Sequence, residues 1–210
     1  MGEFIEVLMT NVSLAQRKLV YGVGINDAPY NVNNNGLVCP YYKVWMSMMR
    51  RCYKPYKGQE NCSVCKEWYY FMNFRRWMES QDWKYKSLDK DILVLGNKEY
   101  GPNVCVFVSQ YLNTLFQQTK NKKLPKGISW YEPTKKYSVS CRVKPGVSKF
   151  LGYYSSLKEA NSVYIKAKTQ ILDEVVKDII DIRVINGLHK LLLNLIEEND
   201  KKLDYYSSIE

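Results

Sequence analysis

Histidine is almost absent from this chain: one residue, His189, in 210. That scarcity excludes any metal or catalytic site built on two imidazoles. Cysteine is sparse as well, six residues, too few for a disulfide scaffold at this length. A reducing compartment leaves zinc binding or plain burial as the roles open to them. No uncharged apolar run approaches the roughly 18 residues that cross a bilayer, and the first ten residues are acidic where a secretory leader is basic. The expectation is a soluble, intracellular protein with no membrane partner and no small-molecule substrate. With 46% hydrophobic and 25% charged residues, disordered and fibrous classes are also excluded.

What is present is positive charge, unevenly spread. The chain carries +10 overall, yet residues 121–170 alone hold 11 basic and 2 acidic side chains, while residues 171–210 hold 5 and 9. A basic stretch rich in Tyr, Trp and Phe points to a polyanion, and the phosphates of nucleic acid are the first candidate. The alternative is a basic surface that serves solubility alone.

Hydrophobic spacing predicts an α+β protein in several segments. Residues 1–36 read as a leader and a turn-rich loop. Helices are expected over 41–53, with Val44, Trp45, Met48, Met49 and Cys52 along one side, and over 66–83, with Trp68, Phe71, Met72, Phe74 and Met78. Between 87 and 118 the pattern is strand, Gly/Asn/Pro loop, strand and helix. Residues 121–126 read as a linker. Three short strands follow, then a helix over 157–172 with Ala160, Val163, Tyr164 and Ala167. The amphipathic tail, 173–210, places Val176, Ile180, Val184, Leu188, Leu192 and Leu195 at helical spacing, with Gly187 as the expected break. His189 lies in that tail, where packing is its ordinary role.

Cys62-Ser-Val-Cys65 has the spacing of a zinc knuckle, and Cys39 and Cys52 lie upstream. Four thiolates can hold a structural Zn²⁺ tetrahedrally; the other reading is four buried, soft apolar side chains. In the basic segment, alternation sets Tyr137, Val139, Cys141 and Val143 on one face of a strand and Ser138, Ser140, Arg142 and Lys144 on the other. The second face suits a DNA groove, with Arg142 as the candidate for bidentate guanine readout. Lys135, Lys136, Lys144 and Lys149 suit phosphate contacts.

Two resemblances sharpen this picture. "LDKD…GNKEYGPNVCVFVSQYLN", with the upstream "CPYYKVWMSMMRRCY" and "CSVCKEWYYFMNF", resembles the ββα-metal core of free-standing HNH homing endonucleases of bacteriophages. The resemblance implies an HNH-like domain over 37–120 and cleavage of double-stranded DNA in the cytoplasm of an infected bacterial host. It implies a Mg²⁺ held by Asp89 on the first strand and Asn113 on the helix, with Asn103 as the middle, loop-fixing residue. Where the family has its catalytic His this chain has Lys90, which either acts as a base with a strongly lowered pKa or clamps a phosphate as a cation. The alternative is a DNA-binding protein that lost cleavage along with that His.

The segment from "GISWYEPTKKYSVSCRV" to "FLGYYSSLKEANSVYIKA" is similar to the DNA-binding domain of plant ethylene-response factors. That similarity implies a three-stranded antiparallel sheet over 127–172 with a helix behind it, and adds Ser129, Tyr131, Ser138, Ser140 and Phe150 as DNA contacts. The helical tail would then cap the core, or mediate a homodimer or a contact with a host protein.

Overall fold

The computed structural model describes residues 3–54, 62–116, 123–144 and 146–208. The fold is α+β, with small sheets and a long C-terminal helix. Contacts divide it into two units, Met1–Val108 and Ser109–Glu210. No helix among the described residues is long and apolar enough to cross a membrane.

The core of the first unit is aromatic and methionine-rich. After a short helix α1 (Asn11–Ala15) and a hairpin of β1 (Asn33–Asn34) and β2 (Leu37–Val38), helix α2 runs over Pro40–Tyr53. Proline at its first position needs no hydrogen-bond donor there. Trp45, Met48 and Met49 are its buried face, and the Trp45 indole N–H donates to the Trp68 carbonyl at 2.7 Å. The turn-rich leader is folded onto this core. The Arg17 guanidinium donates to the carbonyls of Asn26, Ala28 and Tyr30, and Ala28 and Tyr30 are fully buried.

The single helix expected over 66–83 is two elements. A 3₁₀ turn covers Lys66–Tyr69 and helix α3 covers Phe71–Glu79, with Tyr70 extended between them. The cause is a distant backbone: the Ile25 N–H donates to the Tyr69 carbonyl and the Phe71 N–H to the Ile25 carbonyl. Helical hydrogen bonding cannot continue through residues already paired in this way. Phe71, Phe74 and Met78 still form one buried stripe on α3.

Strands β3 (Ser63–Val64) and β5 (Glu99–Tyr100) pair in parallel. Strands β4 (Ser87–Asp89) and β6 (Val106–Val108) pair antiparallel, with Asp89 opposite Val106. Helix α4 (Gln110–Leu115) follows β6 in sequence, capped by the Ser109 hydroxyl, and belongs to the second unit.

In the second unit β7 (Ile128–Tyr131), β8 (Lys136–Lys144) and β9 (Val147–Tyr154) form an antiparallel sheet in that order. Helix α5 (Leu157–Val175) packs on one face of it. Ile128, Val139 and Cys141 are buried on the sheet side, and Ala160, Tyr164 and Leu172 on the helix side. Gly127 is the tight point. It has φ +82°, and a Cβ there would lie 2.1 Å from the Tyr164 ring.

The tail breaks earlier than Gly187 suggests. A 3₁₀ turn at Val176–Asp178 and an extended Ile179 end α5, and the Asp181 carboxylate caps helix α6 (Ile182–Ser207). Gly187 sits buried inside α6, while Ile180 falls in the connection and is fully exposed. Val184, Leu188, Leu192 and Leu195 are buried. His189 is exposed on α6, its Nδ1 2.8 Å from the Ile185 carbonyl.

Of the linker expected at 121–126, residues 121 and 122 lie outside the described residues. The rest is held to α6: Asn199 Oδ1 accepts from the Lys126 N–H at 2.9 Å, and Lys202 Nζ donates to the Leu124 carbonyl. Asn199 Nδ2 donates in turn to Asn161 Oδ1 on α5 at 2.8 Å.

Asn199→Ala removes the partner of the buried Asn161 Oδ1 and of the half-buried Lys126 N–H, at a cost of about 1–3 kcal/mol. Gly127→Ala forces both a left-handed backbone and a clash with Tyr164, at a cost of about 2–4 kcal/mol. Urea denaturation followed by tyrosine and tryptophan fluorescence checks both, and an unchanged midpoint contradicts the packing described.

Candidate nucleic-acid face and the β4–β6 hairpin

Asp89 ends β4 with its side chain only 7% exposed. Its Oδ1 accepts the backbone N–H groups of Asp91 and Ile92 at 2.8 and 2.7 Å, closing the turn that leaves the strand. Burial pushes the carboxyl pKa up, against the pull of those two N–H groups and of Lys90. Lys90 points its ammonium at Asp91 Oδ1, 2.6 Å, and at the Asn97 carbonyl, 2.7 Å. Both contacts turn the Lys90 ammonium toward the protein's own loop.

The loop is fixed by a residue that sequence order did not single out. Asn97 Nδ2 donates to the carbonyls of Lys90 and Glu99, and Asn97 Oδ1 accepts from the Glu99 N–H. One carboxamide thus ties the start of the loop to its end. Asn103, expected in that role, is exposed in the turn that the Cys105 N–H closes on the Gly101 carbonyl. The signal for Asn97 was the "GNKE" turn itself, since Asn beside Gly is a frequent turn former.

Asn113 is half-buried on α4, in the other unit from Asp89. Asp91, the nearest carboxylate in sequence, is committed to Lys90. Among the described residues no three His, Cys, Asp or Glu side chains gather as a metal site.

The four cysteines expected to share zinc do not converge. Cys39 precedes α2 and Cys52 lies near its end, so a continuous helix holds them about 20 Å apart. One tetrahedral ion, with Zn–S bonds of about 2.3 Å, cannot span that. Cys39 is buried with its sulfur 3.7 Å from the Tyr30 hydroxyl. Cys52 and Cys62 do meet, Sγ to Sγ 2.6 Å, and Cys65 is half-buried. Burial raises the pKa of both Cys52 and Cys65.

The sheet presents a sharper arrangement. Antiparallel partners share a face, so the pairs Tyr131–Lys136, Ser129–Ser138–Tyr153, Ser140–Phe150 and Arg142–Ser148 lie together on the side away from α5. The twenty-one residues of its three strands include no carboxylate. Lys135 stands at the β7–β8 turn with φ +50° and is exposed.

Two bulges modify the alternation. Leu151 and Val143 each drop out of the pairing. Beyond Val143, Lys144 pairs with Val147, out of phase with Arg142, and Lys149 pairs with buried Cys141. Lys144 and Lys149 are therefore exposed at the margin and not on the outer face. Each bulge frees a carbonyl, and a tyrosine hydroxyl satisfies it: Tyr111 donates to Val143 at 2.9 Å and Tyr154 to Leu151 at 2.8 Å. The Leu151 bulge also brings Tyr153 onto the outer face, a residue that strict alternation does not assign.

Behind the face lie a buried cation, Lys168, and a half-buried one, Lys126. Lys168 sits 5.2 Å from the centre of the Phe116 ring, and burial lowers its pKa. Lys126 is brought down to about 8, by burial and then by the charge of Lys168.

Because the folded pKa of Asp89 is raised, its contribution to stability is complete below the unfolded value and is lost as pH rises through the folded one. Asn at 89 keeps the Oδ1 acceptor without the buried charge. Asp89→Asn should therefore melt higher than wild type at pH 7, with the gap closing toward pH 4. Thermal melts across that range measure it; a variant that melts lower at pH 7 contradicts the reading. Comparison with models of protein families, with curated proteins and with solved structures finds no match to this chain.

Proposed function

We propose that this chain binds double-stranded DNA through the outer face of the β7–β8–β9 sheet. The observation that carries the reading is the composition of that face. It joins Arg142 and Lys136 to the hydroxyls of Ser129, Ser138, Ser140 and Ser148, with no carboxylate on any of its strands. A small sheet with this face turned toward the duplex fits a major groove about 12 Å wide. Arg142 offers the planar fork that matches guanine O6 and N7. Lys135, Lys144 and Lys149, at the margins, suit phosphates, which lie along the groove walls.

A second reading, metal-dependent cleavage by the β4–β6 hairpin, has one observation in its favour. A buried carboxylate whose pKa is raised by burial, at the mouth of a loop, is a group that a divalent cation would stabilise in its charged form. Against it stands Lys90, tied to Asp91 and Asn97. The reading that fits the geometry better is DNA binding without cleavage.

Arg142→Ala should weaken specific duplex binding by about 1–3 kcal/mol and relax base preference at one position. Electrophoretic shifts against a randomised duplex library measure it, and unchanged affinity and preference overturn the assignment. Incubation of supercoiled DNA with Mg²⁺ or Mn²⁺ should leave the plasmid intact for wild type. Nicking that disappears in Asp89→Ala would instead establish the second reading.

A further inference from the structure

We infer that the outer face also takes unpaired nucleobases by stacking, so that a short single-stranded stretch of nucleic acid is a ligand of its aromatic half. This rests on the assignment of the sheet as a nucleic-acid face and adds to it a second contact chemistry.

Tyr131, Tyr153 and Phe150 are 40, 44 and 54% exposed. Their rings form one patch: Tyr131 and Tyr153 have centroids 5.1 Å apart at 31°, and Phe150 stands edge-on to Tyr153 at 5.0 Å. Two devices build it. Tyr131 is on β7 and Tyr153 on β9, two strand spacings apart, about 9–10 Å. Their rings reach 5.1 Å only by leaning over β8, where the small Ser138 lies opposite Tyr153. Phe150 and Tyr153 are three residues apart, so an unbroken strand would put them on opposite faces. The bulge at Leu151, with Gly152 at φ +129°, puts both on one.

Base pairs in a duplex hide their ring faces in the stack and offer a groove only their edges. Serine hydroxyls and Arg142 suit edges. Exposed aromatic rings suit the faces, which are free only where bases are unstacked. Cations bracket the patch along β8, with Lys136 opposite Tyr131 and Arg142 beyond Phe150. Five residues of strand lie between them, a span of about 20 Å, room for a strand of a few nucleotides. Its phosphates would meet the cations and its bases the rings.

Fluorescence anisotropy with the full chain and three labelled ligands of twelve residues tests this: oligo-dT, an abasic strand with the same phosphates, and a duplex. Oligo-dT should bind at least ten-fold tighter than the abasic strand. Tyr153→Leu and Phe150→Leu should each weaken oligo-dT binding about 5- to 100-fold and leave binding of the abasic strand, which offers no base to stack, within three-fold. Arg142→Ala should weaken duplex binding more than oligo-dT binding. Thermal melts confirm that these surface variants fold. Equal binding of oligo-dT and the abasic strand, or aromatic variants with undiminished oligo-dT affinity, overturns the inference. Duplex binding without oligo-dT binding overturns it and leaves the duplex reading standing. Ring-dependent oligo-dT binding without duplex binding supports it and removes the duplex reading.

Discussion

The second unit depends on one buried carboxamide. Asn199 joins α6 to α5 through Asn161, and with its other atom holds the backbone of Lys126 just before β7. A side chain 1% exposed with both ends satisfied is a specific fastener, because any shift in helix register leaves a polar group unpaired in the core. The fastener has a consequence for function. It fixes where the chain enters the sheet, so α5 covers Val139 and Cys141, and Ser140 and Arg142 are left facing outward. Gly127 follows at once, where Tyr164 leaves no room for a Cβ.

Much of this was legible in the residues. Helix α2 lies where the spacing of Trp45, Met48 and Met49 puts it, and the inner and outer sides of β8 follow from simple alternation as far as Arg142. What escaped is non-local. Ile25 reaches across to Tyr70 and divides a helix whose own apolar spacing is continuous. Bulges at Leu151 and Val143 change the phase of alternation, and their support comes from Tyr154 and from Tyr111, thirty-two residues away. Gly187 looked like a break because glycine is a poor helix former; the break came instead where Asp181 caps a new helix. The separation of Cys39 from Cys52 was readable, since a helix over 41–53 already holds them at opposite ends.

The β4–β6 hairpin spends its polar side chains on its own turn. Asp89 spends an oxygen on two backbone N–H groups, and Lys90 spends its charge on Asp91 and a carbonyl. Asn97 then locks the loop from within. Asp89, Lys90 and Asn97 are all turned toward the protein itself. Sequence order places such residues near one another but is silent on which way they face.

A face with three exposed aromatic rings invites self-association, for rings on one copy suit rings on another. Here the rings are set among Lys135, Lys136 and Arg142 in a region where basic residues far outnumber acidic ones. Two like copies approaching face to face meet their own positive charge before their rings touch. These cations thus act as a colloidal guard, one that added salt weakens.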